Sequence, residues 1–152
     1  MDEKKYFEAP DVEREIQRVL EKYNDTFYNI RKVGFKAIYR IPERCRGEKV
    51  VYGSTSTVSE KMRLFIDADF LIEIWKDGWD ASNETQKEAL IFHELKHCEM
   101  EEKETKKGLK NVMKTVPHHF EGFVDEYEKF GDWRNDLPEL NNNEKTGEDE
   151  NE

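Results

Sequence analysis

Residues 89–99 read A-L-I-F-H-E-L-K-H-C-E, and they decide what kind of fold this chain can have. Within them His93, Glu94 and His97 form the pattern H-E-x-x-H. Helical residues four apart share a face, so His93 and His97 can present two imidazoles to one metal ion. Glu94, beside the first of them, is then placed to take a proton from a metal-bound water. Leu90, Ile91, Phe92 and Leu95 are apolar, which predicts a largely buried helix. A buried helix has little reason to carry two histidines and a glutamate unless they act together. On an exposed, charged helix the same pattern would be a chance match. The metal that suits this donor set is zinc, one ion per chain.

Upstream, residues 77–82 read as a loop, with Gly78 for the turn and Ser82 as N-cap of a helix over 83–100. Glu84 in its first turn suits the helix dipole. Residues 65–75 predict a strand with both faces partly apolar, and residues 50–58 a β-branched strand with a bulge at Gly53. From residue 30 to 41 the period is two, so a further half-buried strand is expected there. Pro10 starts an amphipathic helix over 10–24 whose apolar positions are Val12, Ile16, Val19, Leu20 and Tyr23. Before it, residues 1–8 are a charged, flexible lead-in.

Downstream, residues 100–116 have weak periodicity and many charges, and they read as a connecting loop with room for a short hairpin. Pro117, His118 and His119 open a last helix with Phe120, Phe123, Val124, Tyr127 and Phe130 as apolar positions and Gly131 at its end. Trp133 packs back on the domain. Residues 135–152 hold seven acidic residues against one lysine and predict a disordered acidic tail. The fold class is therefore α+β: an N-terminal helix, a small antiparallel or mixed sheet of about three strands, the H-E-x-x-H helix and a C-terminal helix. Residues 9–134 form its single domain.

Composition narrows the partners. The net charge is −10, and the lysines near residues 103–110 are interleaved with glutamates. Duplex nucleic acid needs a concentrated basic patch and is not expected. No apolar run is long enough for a membrane span, and the start M-D-E-K-K-Y-F is charged, so a cytoplasmic protein is expected. Cys45 and Cys98 are too few for a disulfide framework; Cys98 reads as a small buried residue and Cys45 as a free thiol.

A hydrolytic zinc needs a third protein ligand and an open position. All four histidines are His93, His97, His118 and His119, which directs attention to the pair after Pro117. His118, His119 and Glu121 are the candidates for the third ligand.

The chain resembles the putative phage metallopeptidases, small zincin-like proteins of phages and prophages that are distantly related to SprT-like proteases. The resemblance rests on A-P-D-V-E-R-E-I-Q-R-V-L (9–20), D-A-D-F-L-I-E-I-W (67–75), A-L-I-F-H-E-L-K-H-C (89–98) and H-H-F-E-G-F-V-D-E-Y-E-K-F-G-D-W (118–133). In that family the last block looks like H-D-x-E-D-F, then seven residues and a glycine. Matching Glu121, Phe123 and Gly131 puts the family histidine on His118, with His119 where aspartate is usual. The SprT-like pattern, a histidine four residues before a phenylalanine, would select His119. The phage register matches more positions. It implies zinc on His93, His97 and His118, with Glu94 as general base in peptide-bond hydrolysis. The implied partner is a peptide or protein substrate, including a host protein, in the cytoplasm of the bacterial host. An extended substrate would lie along strand 65–75 or its neighbour, and Tyr127 is a candidate oxyanion stabiliser. The alternative is a catalytically silent, zinc-stabilised binding module that inhibits or recruits a host protein.

Overall fold

The computed structural model describes residues 5–117, 123–131 and 133. In chain order the elements are β1 (Lys5–Glu8), α1 (Pro10–Lys22), β2 (Phe35–Ile41), β3 (Arg44–Arg46), β4 (Lys49–Val51), β5 (Gly53–Thr57), β6 (Phe70–Trp75), α2 (Lys76–Ala81), α3 (Glu84–Lys96), β7 (Cys98–Thr105), β8 (Gly108–Thr115) and α4 (Val124–Phe130). The fold is α+β. The acidic tail, residues 1–4 of the lead-in, and His118, His119 and Glu121 lie outside the described residues.

Pro10 sits at the start of α1, where a missing N–H costs nothing. Val12, Ile16, Val19 and Leu20 follow at helical spacing and form its buried stripe. α1 and α3 pack together, and α1 lies on β2. The main sheet has the order β1-β2-β6-β5, with β2 and β6 parallel and the outer pairs antiparallel. Ala37, Tyr39, Phe70, Ile72 and Ile74 are the side chains its central strands give to the apolar core, in register as Ala37↔Ile72 and Tyr39↔Ile74. Ala89, Leu90, Ile91, Phe92 and Leu95 of α3 complete the same core.

Four strands stand where the sequence pattern suggests about three, because residues 5–8 pair with β2 as an edge strand. The expected strand 65–75 begins only at Phe70, the first residue opposite β2. Just before it Asp69 turns inward, its carboxylate accepting from Gly34 N at 2.7 Å. Leu64 and Phe65 are left exposed, at 81% and 78%. The expected strand 50–58 is two strands. β4 pairs with β3, the chain then changes sheets at Tyr52, and β5 pairs with β6. Gly53 is no bulge: it pairs with Ile74 in a regular ladder.

Residues 77–82 are not a loop, since α2 occupies most of them. Gly78 serves packing rather than a turn, because a Cβ there would lie 2.5 Å from the Trp75 ring and 2.8 Å from that of Tyr52. Ser82 ends α2, its hydroxyl donating to Gly78 O at 2.8 Å. The N-cap of α3 is instead Asn83, in a reciprocal capping box with Gln86. α3 stops at Lys96 rather than near residue 100, because the His97 carbonyl is taken by Val116 N (2.8 Å) and β7 starts at Cys98. Residues 100–116, read as a loop with room for a short hairpin, belong to a hairpin that takes up nearly the whole segment, β7 and β8 pairing from Cys98↔Thr115 to Thr105↔Gly108. Gly131, at φ +63°, ends α4 as its position predicts, and Trp133 is buried in the core.

Candidate metal centre

α3 delivers His93 and Glu94 in its last turn, and both are only 2% exposed. His97 is the C-cap residue, but its backbone keeps helical angles (φ −75°, ψ −18°), so the four-residue spacing still brings the two imidazoles together, edge to face. Their ring centroids lie 5.1 Å apart with planes at 79°. Two imidazoles bound through one nitrogen each, at about 2.0–2.1 Å around a tetrahedral ion, place their centroids roughly 5 Å apart. The pair fits one zinc ion.

Each ring is held through Nδ1. His93 Nδ1 bonds Glu126 Oε1 at 2.8 Å, and His97 Nδ1 donates to Val116 O at 2.7 Å. A ring anchored in this way offers a metal its Nε2, in a fixed orientation. Val116 thus brackets His97, donating to its carbonyl and accepting from its ring. The hairpin is the device that makes this possible, since it leaves His97 as β7 and returns beside it as β8.

Glu126 is fully buried. Besides His93 it accepts from Trp133 Nε1 at 2.5 Å and Phe123 N at 3.1 Å, so three donors offset the cost of burying its charge. Phe123 packs against both imidazoles, with centroids 5.6 Å from His93 and 5.2 Å from His97. Lys96 pairs with Asp125 at 2.9 Å and ties the end of α3 to α4. Tyr127 follows Glu126 on α4 and is partly buried.

Glu94 points its carboxylate at β5, where Oε1 accepts from Thr55 Oγ1 at 2.6 Å. Cys98 is buried, as its context predicts. Burial, with the Glu94 charge second, pushes its thiol well above its ordinary value, which leaves it a protonated donor to Glu94 O. Among the described residues no three of His, Cys, Asp and Glu converge in metal-holding geometry. His93 and His97 are brought together; His118, the expected third ligand, lies outside the described residues.

Sequence reasoning missed Glu126, Val116 and Thr55. A signal for Glu126 existed: it stands three residues after Phe123 and four before Phe130, a charged residue near an apolar helical stripe.

A family model described as "Putative phage metallopeptidase" matches residues 4–141. This chain belongs to that family. No curated protein and no solved structure matches it. A phage metallopeptidase requires a metal, and the two anchored histidines are a donor set suited to one.

Proposed function

We propose that this member of the phage metallopeptidase family is a zincin-like zinc peptidase, with His93, His97 and His118 as metal ligands and Glu94 as general base. The observation that carries the proposal is the histidine pair, spaced for one ion and locked through both Nδ1 atoms. The path of the chain supports His118. Val116, two residues before it in sequence, bonds His97, and Phe123, five after it, lies against both rings. His118 is two residues from Val116 in sequence, a tether of at most about 7 Å. His119 and Glu121 share that segment, and the family register favours His118.

Zinc held by these histidines would supply Lewis-acid chemistry, polarising a scissile carbonyl and making a water more acidic. Glu94 takes the proton of the attacking water and delivers it to the departing amine. β5, the sheet edge beside Glu94, offers backbone groups to an extended peptide, which makes a peptide or host protein the substrate class. Tyr127 is the candidate oxyanion stabiliser on α4. The site of action would be the host cytoplasm.

Metal analysis and cleavage of a denatured protein mixture, read as new N-termini, test this reading. Wild type should carry one zinc per chain. His118→Ala should weaken zinc binding by at least about tenfold through loss of a ligand, and His119→Ala should cost less. Glu94→Gln should keep zinc and fold but lose cleavage. Loss of metal in His119→Ala alone would move the ligand by one residue. Absence of any transition metal would remove the metal reading, and full biological activity in Glu94→Gln would replace the peptidase by the binding module.

A further inference from the structure

Gly53 and Thr55 lie two apart on β5, so both face the same side of the sheet. That side meets Glu94. Thr55 Oγ1 donates to Glu94 Oε1 at 2.6 Å, with a longer contact to the Glu94 carbonyl at 3.3 Å. The direction of the first bond is fixed, because a carboxylate only accepts. On the other oxygen, a Cβ built on Gly53 would stand 3.0 Å from Glu94 Oε2 and 3.1 Å from Ile74 Cδ1. Glycine within a strand weakens it and often marks a close approach by another group. Gly53 pairs regularly with Ile74, so no bulge or turn accounts for a glycine here; clearance for the side chains of Glu94 and Ile74 does.

We propose that residues 53–55 of β5 form a cradle that sets the Glu94 carboxylate for proton transfer, with Thr55 as the positioning residue and Gly53 as the space that admits Oε2. This inference rests on Glu94 being the base of a metal site. Its content is a division of labour between the two oxygens. Oε1 is tied to Thr55, which leaves Oε2 as the oxygen that receives the proton. The cradle is rigid because β6 fixes the register of β5, with Gly53 opposite Ile74 and Thr55 opposite Ile72. Holding a reacting group in its productive orientation is itself a source of rate. The same strand is the edge proposed to pair with substrate, so one element would align both base and peptide.

A bond that merely satisfied a buried carboxylate would affect folding and leave proton acceptance alone. Acetohydroxamic acid separates the two roles without needing the natural substrate. It binds a metal as the hydroxamate, its proton passing to a neighbouring carboxylate, here Glu94. Affinity is read from the visible spectrum of the cobalt(II)-loaded full chain. Glu94→Gln should weaken binding more than about tenfold. Thr55→Val should weaken it several-fold at unchanged cobalt content, and Thr55→Ser, which restores the hydroxyl, should return it to within about twofold of wild type. Gly53→Ala, which displaces Oε2 while keeping Thr55, should weaken it as well and serves if Thr55→Val does not fold. Wild-type affinity in Thr55→Val or Gly53→Ala, beside a weakened Glu94→Gln, overturns the cradle alone. Wild-type affinity in Glu94→Gln overturns the assignment of Glu94 as base, and the cradle's role falls with it.

Discussion

Glu126 carries a carboxylate into the junction of α3, α4 and the residue that ends the described chain, Trp133, and three donors meet it there. Its bond to His93 Nδ1 fixes the orientation of that ring, and with it the nitrogen a bound metal would meet. Glu126→Gln keeps the shape and removes the charge, and it should lower zinc affinity about 10- to 100-fold, measured by competition with a chelating indicator. Glu126→Ala should also destabilise the fold, by about 1–3 kcal/mol for each buried donor left without a partner. Equal metal affinity in wild type and Glu126→Gln would mean that Glu126 serves the fold alone.

Between elements, the joint that ties α1 to α3 is Glu88. It accepts from Arg18 at 2.7 Å, from Lys22 at 2.9 Å and from the Tyr23 hydroxyl. Burial alone would raise its pKa, but the bonds from Arg18, Tyr23 and Lys22 outweigh it and hold the carboxyl down to about 2. A carboxyl depressed in the folded state stabilises above its ordinary pKa, and that stability is lost as pH falls through the folded value. The window therefore runs from about 4.5 down to about 2. Each unit corresponds to about 1.4 kcal/mol, and half-exposed Arg18 and Lys22 are screened, so Glu88→Gln should cost on the order of 2 kcal/mol at neutral pH. Denaturant unfolding across that window should show the gap between wild type and variant closing as the solution is acidified. A gap independent of pH would mean that packing, and not charge, joins the two helices.

For the whole molecule, much of the net charge of −10 sits in residues 135–152. This segment has like charges and no apolar period, so removing it should leave the melting temperature within about a degree or two. A larger drop in a thermal melt would show that the tail docks on the domain. Among the described residues no helix is long and apolar enough to cross a membrane.

Parts of α1, α3 and α4 were legible in the sequence because the helical period is local: the stripe of α1, the approach of His93 to His97 and the glycine end of α4 each depend on neighbours within one or two turns. The hairpin was legible only as room within a loop, because glutamates and lysines on β7 and β8 hide a period of two that partners such as Met100 and Met113 reveal. Nor could α2 be read, since Gly78 looks like a turn until Trp75 and Tyr52 close on it. The helix and the approach of its two histidines were thus determined by the sequence alone. What holds them was decided only by the tertiary structure. Thr55 meets Glu94 across 39 residues, Glu126 meets His93 across 33, and Val116 meets His97 across 19. Contacts of that span leave no mark on local periodicity; they form only when the packing of β5, the hairpin and α4 around α3 brings distant polar groups within hydrogen-bond reach.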